Sequence, residues 1–250
     1  MSRRVLVTGG ARGIGAGLVR RLAADGYEVH FTYNASKAPA EALIAEIKDA
    51  VPRATPAAHP CDLSDRAAVD DFAKSLERQP AFYGFVHNAG KAYDSLAAMI
   101  DIDAADSAMQ VNFWSAVRLA KALMRPMMQA RAGRIVLIGS VTATRGNQGN
   151  AIYAATKAAL LGYAKTLATE IARRGVTVNY VAPGYVDTDM LAPYAAFREM
   201  LEKQIPAQRY AKPADLAAVV SFLLSDGAAY VNGAEIAVDG ALSASLGIKR

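Results

Sequence analysis

Hydrophobic and polar positions alternate along this chain in two rhythms. Short β-branched or apolar runs read as strands: RVLVT (4–8), YEVHFTY (27–33), ATPAAH (54–59), FYGFVHN (82–88), RIVLIG (134–139), VTVNYVA (176–182) and EIAVDG (235–240). Between them, residues 14–25, 38–50, 65–78, 104–130, 152–173 and 213–225 carry longer, alanine-rich segments of helical period. Strand–helix alternation is the signature of parallel βαβ units, so the pattern predicts an α/β fold: a Rossmann-type, doubly wound, seven-stranded parallel sheet with helices on both faces. No composition shift, linker or repeat divides the chain, which predicts one domain over 1–250. The least regular stretch is 184–212, where Pro193 and Pro206 flank a short helical pattern. It is expected to form a mobile lid over a substrate.

Composition adds limits. The chain is 53% hydrophobic and 20% charged, enough for a substantial core, and no apolar run approaches the roughly 18 residues of a membrane span. The apolar patch after the two N-terminal arginines stops at Gly9, too early for a secretory signal, so a soluble cytoplasmic protein without membrane contact is expected. Cys61 is the only cysteine, which excludes an intrachain disulfide and argues against a cysteine metal site. His30, His59 and His87 lie in or beside strands without the spacing of a zinc site and read as structural. The net charge of +5 favours an anionic partner, but no dense Lys/Arg run supports nucleic-acid binding.

Candidate chemistry begins at VLVTGGARGIGAGLVRRLAADG: strand, glycine turn, helix. That order sets backbone N–H groups and a helix N-terminus beside a phosphate crevice. The turn's Gly9, Gly13 and Gly15, spaced TGxxxGxG, also fit a tight βα connection alone. After the second strand, Asn34 and Ser36 stand where an NAD site would carry a carboxylate, and with Arg12, otherwise a surface arginine, they leave room for a 2′-phosphate. Asp62 and Leu63 follow the third strand, where Asp62 also suits a cap or turn. Asn88, Ala89 and Gly90 end the fourth.

Further along, AIYAATKAAL places Tyr153 and Lys157 at i and i+4 of one helix, on a common face. An ammonium beside a phenol lowers the phenol pKa, which suits a group exchanging a proton with substrate oxygen. Taken alone, the pair also fits a tyrosine packed on the core with a lysine reaching for solvent. Thirteen residues upstream, GRIVLIGS ends in Ser140, whose hydroxyl can polarise a carbonyl at the same edge.

Together, TGGARGIG, NAG, Ser140, YAATK and PG resemble the short-chain dehydrogenase/reductase family over essentially the whole chain. The resemblance implies Tyr153 as general acid/base, Lys157 holding the nicotinamide ribose, Ser140 orienting the carbonyl, and Asn112 in MQVNFWSA anchoring a water-linked proton relay. Ile14 joins the implied cofactor contacts, with Pro183, Gly184, Val186 and Thr188 of VAPGYVDTDM beside the nicotinamide. Within the family the chain is most similar to 3-oxoacyl-[acyl-carrier-protein] reductases, through GNQGN, VNYVAPGYVDTDM, IPAQRYAKPADLAAVVSFLLSD and VNGAEIAVDG. Acetoacetyl-CoA reductases, polyketide enzymes and alcohol dehydrogenases share that tail, and LAPYAAFREMLEKQ is more aromatic than the housekeeping enzyme's lid. Implied are an NADPH/NADP+ cofactor, a thioester on acyl carrier protein or coenzyme A, carrier docking at Arg131 and Arg174 near the site entrance, and a homotetramer. A non-catalytic NADPH-binding regulator is the alternative of another class, and the Ser140, Tyr153 and Lys157 set argues against it.

Overall fold

The computed structural model describes residues 3–245, so the outermost positions of the single-domain expectation, 1–2 and 246–250, lie outside the described residues. Every apolar run becomes a strand: β1 Arg4–Val7, β2 Glu28–Tyr33, β3 Ala57–Pro60, β4 Gly84–His87, β5 Gly133–Ile138, β6 Val176–Pro183 and β7 Glu235–Val238. All pair in parallel in the order β3-β2-β1-β4-β5-β6-β7. This is a doubly wound sheet, and its order reverses between β1 and β4. Because successive side chains alternate faces, Leu6, Phe85, Ile135, Leu137, Val178 and Tyr180 join one core layer, while Val5, Val7, Val86, Val136, Ile138 and Val181 join the other.

The first layer is closed by α3 Arg66–Glu77, α5 Ser115–Ala130 and α6 Ala151–Ile171. The second is closed by α1 Gly13–Ala24, α2 Lys37–Ala50 and α8 Pro213–Leu224. Local chemistry sets helix starts. Asp65 accepts hydrogen bonds from the N–H groups of Ala67 and Ala68 to cap α3, and Pro213 opens α8, where Asp215 accepts from Lys212 N.

The structure departs from the periodicity at several points. The third strand runs over 57–60 rather than 54–59; it lies at the sheet edge, where only β2 fixes its length. The seventh ends at Val238, because the Asp239 carboxylate accepts from Ala241 N and Ser243 N and turns the chain. The helix expected over 104–130 is α4 Ile102–Met109, a π turn Gln110–Trp114, and then α5. Between β6 and α8, a 3₁₀ segment Asp189–Phe197 and the short α7 Arg198–Gln204 occupy the expected lid region.

All three histidines are held neutral. Burial pushes His59 down to about 4, helped by His30 stacked beside it, and pushes His87 down to about 3. Their unfolded pKa lies near 6.5. Between those limits the unfolded chain binds more protons, so stability is full above about pH 6.5 and falls as pH drops toward the folded values. The urea midpoint should therefore be lower at about pH 5 than at about pH 7.5, with a shallower fall in His59→Gln; a pH-independent midpoint would show that these histidines are not buried neutral.

Candidate active site

Parallel strands bring all their carboxyl ends to one edge, and the loops after β1 to β4 enclose a crevice of about 540 Å³ there. Gly9 and Gly13 have φ of 65° and 52°, the left-handed region that favours glycine, and a side chain on Gly9 would crowd Ala89. Both line the crevice, together with Arg12, Ile14, Ala89 and Gly90. Gly15 does not: it lies beneath the turn, where a Cβ would strike the Gly9 carbonyl, so its role is close packing rather than ligand contact. The first turn of α1 has no side-chain cap and no acidic residue, which leaves its N–H groups for an anion.

The far wall is neutral where a ribose would sit. Asn34 and Ser36 line it, with Leu63 and Asp62 beyond. Asp62 accepts from Ser64 N and Oγ at 2.9 and 2.7 Å, which hold its carboxyl below the usual range, while Asp65 caps α3. Arg12 lies 3.8 Å from Asp189 with both side chains exposed, so this pair contributes little and an added phosphate can compete for the arginine. A glycine turn on an uncapped helix and a carboxylate-free β2 end fit a phosphorylated dinucleotide.

Crossing to the other side of the sheet reversal, a second cleft of about 580 Å³ contains Ser140, Tyr153, Lys157, Pro183, Gly184 and Val186, and Thr188 borders both spaces. Ser140 follows β5. Its Oγ accepts from Thr142 N and Thr142 Oγ1 at 3.2 and 2.9 Å, which leaves the serine's own proton free to donate, and the Tyr153 hydroxyl lies near it. Burial pushes the Tyr153 phenol up to about 12, the Asp94 carboxylate adds to the rise, and Ser140 opposes it. The expected lowering by Lys157 is not found: its Nζ donates to Ile138 O at 2.9 Å and sits 5.6 Å from the centre of the Tyr153 ring, against the ring rather than the hydroxyl. Burial also lowers the lysine itself to about 8.

Asn112 is fully buried in the π turn. Its Oδ1 accepts from Lys91 N at 2.7 Å, and its Nδ2 donates to Lys91 O and Thr156 Oγ1 at 3.0 and 2.9 Å. The amide thus clamps the segment after Gly90, with both Nδ2 protons and one acceptor position of Oδ1 engaged; a relay water at this residue would bind the main-chain carbonyl or the remaining Oδ1 position. Gly90 lies beside both groups, since a Cβ there would sit in ordinary contact at 3.4 Å from Lys157 Nζ and 3.7 Å from Asn112 Oδ1. Asn88 donates from Nδ2 to the Thr8 and Gly9 carbonyls, each at 3.1 Å, and so ties the fourth-strand turn to the glycine turn.

A model of Enoyl-(Acyl carrier protein) reductase matches residues 9–243. The chain belongs to the short-chain dehydrogenase/reductase family. It is 39% identical over 247 residues to the 3-oxoacyl-[acyl-carrier-protein] reductase MabA of Mycobacterium tuberculosis, covering 97% of this chain and 93% of that protein. Among solved structures, a short-chain dehydrogenase/reductase from Serratia marcescens is similar at TM-score 0.89 and 34% identity, with 96% of this chain and 98% of that one covered. An actinorhodin polyketide ketoreductase with NADPH is similar at TM-score 0.90 and 27% identity, with 98% of each covered.

As a short-chain dehydrogenase/reductase the chain is an oxidoreductase of a family that uses nicotinamide cofactors. Its site contains groups that the motifs do not reveal. Tyr180 Oη, buried under β6, accepts from Ser140 N at 3.0 Å and lies 3.3 and 3.2 Å from the Ser140 and Lys157 carbonyls, coupling the serine turn to the lysine helix. Gly139 makes room, since a Cβ there would collide with the Tyr180 ring. Tyr194 Oη donates to Asp94 Oδ2 at 2.7 Å and Asn150 Nδ2 donates to the other oxygen, so the 3₁₀ segment is tied across the second cleft. Arg131 and Arg174 do not border either space. They precede β5 and β6, exposed, while Ser140 and Gly184 follow those strands, which places the arginines at the opposite edge of the sheet from Tyr153. Tyr180→Phe should lower kcat about tenfold by loosening Ser140 while leaving nucleotide affinity within about twofold, read by steady-state kinetics and fluorescence titration; unchanged kcat would remove the coupling role.

Proposed function

We propose that this protein reduces a 3-oxoacyl thioester, carried on acyl carrier protein or coenzyme A, to the 3-hydroxyacyl thioester with NADPH, in fatty-acid or polyketide-type synthesis. The observation that carries this reading is that two hydroxyls able to donate, Ser140 and Tyr153, line one cleft beside Met190, Leu191, Tyr194 and Leu201. Two donors suit an oxygen that gains negative charge, and the apolar wall suits an acyl chain. The similarity to MabA and to the NADPH-bound ketoreductase supports the same substrate and cofactor classes.

NADPH would supply hydride to the carbonyl carbon. The uncapped α1 terminus and Arg12 would bind its phosphates, and Asn34 and Ser36 would admit the extra one. Ser140 would orient the carbonyl oxygen and Tyr153 would transfer its proton to that oxygen; Lys157, held by Ile138 O, keeps N–H groups that would donate to a ribose hydroxyl. Residues 184–212 serve as the lid, with the Tyr194–Asp94 bond as its latch. Carrier docking at Arg131 and Arg174 would need the site of another copy. A homotetramer supplies one, and exposed Trp114, Phe222 and Tyr230 offer apolar surface for its contacts.

Turnover of acetoacetyl-CoA with NADPH tests the reading, and crotonyl-CoA serves as the enoyl comparison. Reduction of the ketone and not the alkene is expected, with Tyr153→Phe slower by at least about a hundredfold while NADPH still binds; alkene reduction alone would overturn it. Selectivity should favour NADPH, and Asn34→Asp should shift it toward NADH by charge; a wild-type kcat/KM equal or better with NADH would contradict the cofactor assignment.

A further inference from the structure

His87 ends β4, is fully buried, and has no part in the scheme above. Its two ring nitrogens face two different parts of the site. Nδ1 lies 3.0 Å from Thr8 Oγ1, and that same oxygen accepts the N–H groups of Asn88 and Ala89 at 3.0 and 3.1 Å. A hydroxyl has two acceptor positions and one proton. With both acceptor positions taken, the Thr8 proton has one partner left, His87 Nδ1. The ring nitrogen there must accept, which places the imidazole proton on Nε2.

Nε2 is buried without a hydrogen-bond partner, and the ring lies near the Val111 and Asn112 main-chain carbonyls. Those carbonyls belong to the π turn Gln110–Trp114. Where the helix returns from i→i+5 to i→i+4 bonding, one carbonyl is left without its own N–H and needs a donor from elsewhere. Ser115 Oγ supplies one, to Val111 O at 2.7 Å. With Nδ1 engaged by Thr8, the Nε2–H is the donor the His87 ring has left for that turn. Buried polar groups in native structures are paired, so a buried Nε2 without a partner calls for an account.

We propose that His87, as the neutral Nε2–H tautomer, is a positioning residue: it joins the Thr8 clamp beneath the Asn88–Gly90 turn to the π turn that presents Asn112. One ring then sets the nucleotide side and the proton-relay side of the site in register. The π turn carries the Asn112 main-chain carbonyl, an acceptor for a relay water, so the direction of that carbonyl depends on the donor behind it. A neutral ring is required, because a proton on Nδ1 would face the Thr8 hydroxyl donor. Burial and the nearby Lys157 charge both oppose that proton.

The test uses the intact enzyme with ¹⁵N-labelled histidine, the His87 signals being assigned by their loss in His87→Gln. The proposal expects a protonated Nε2, an unprotonated Nδ1, and no titration between about pH 8 and pH 5. A proton on Nδ1, or titration in that range, would overturn it. The kinetic arm rests on the ketoreductase reading. Glutamine offers an acceptor at one end and a donor at the other, so His87→Gln should keep kcat within about threefold, whereas His87→Leu should lose about tenfold or more in kcat at similar KM. Full kcat in the leucine variant, or equal losses in both, would show that the ring does no more than fill space. If His87→Leu does not fold, Thr8→Val gives the decisive spectrum: Nδ1 should stay unprotonated but move to the shift of a nitrogen that has lost its hydrogen bond, and an unchanged Nδ1 signal, or a proton moved onto Nδ1, would contradict the assignment. Wild-type enzyme inactive on acetoacetyl-CoA but showing the expected spectrum would sink the functional reading and leave the tautomer standing.

Discussion

A buried ammonium organises this site. Lys157 is 2% exposed, and taking its charge out of water costs several kcal/mol unless acceptors replace the lost hydration. The Ile138 carbonyl at the end of β5 is one acceptor, at 2.9 Å. That bond fixes how α6 sits against the sheet and therefore where Tyr153, one turn earlier, places its hydroxyl. Ser140 follows two residues after Ile138, so the same strand end positions the serine. Tyr180 closes the arrangement from beneath by reaching the main chain at both Ser140 and Lys157.

Burial has a second consequence, for acidity. In a site this enclosed, desolvation disfavours tyrosinate and lysinium alike, raising the Tyr153 pKa and lowering that of Lys157. The lysine counters the rise only if its charge is drawn toward the phenol oxygen, and here it is drawn toward a carbonyl below the ring. A ribose hydroxyl bridging the two residues would change that balance. On the proposed reading, the protein supplies a pair whose acid–base behaviour would be completed by the nucleotide rather than set in advance.

Much of this was legible in the residues. Seven apolar runs separated by helical segments give a parallel doubly wound sheet almost without choice, and TGGARGIG, NAG, Ser140 and YAATK fall at the carboxyl edge because each follows a strand. What was not legible has physical reasons. MQVNFWSA keeps helical periodicity, so nothing in the pattern marks a π turn; only a polar Asn112 among apolar neighbours hints at it. Tyr180 reads as one more large residue in a core strand, and its role emerges only when Gly139 is seen to vacate the space its ring fills. The arginines illustrate the reverse case. Arg131 and Arg174 stand just before strands, so topology alone sends them to the amino edge, a deduction the sequence permits once strand direction is considered.

The claim at the centre of this account is that burial, not Lys157, governs the acidity of Tyr153 until a nucleotide bridges them. Ultraviolet difference titration of the wild type against Tyr153→Phe isolates that one phenol among eleven tyrosines. Without nucleotide it should ionise near 12, and with saturating NADP+ distinctly lower, the drop vanishing in Lys157→Met. A phenol that already ionises below its ordinary value near 10 without nucleotide, or one that nucleotide does not shift, would contradict the account.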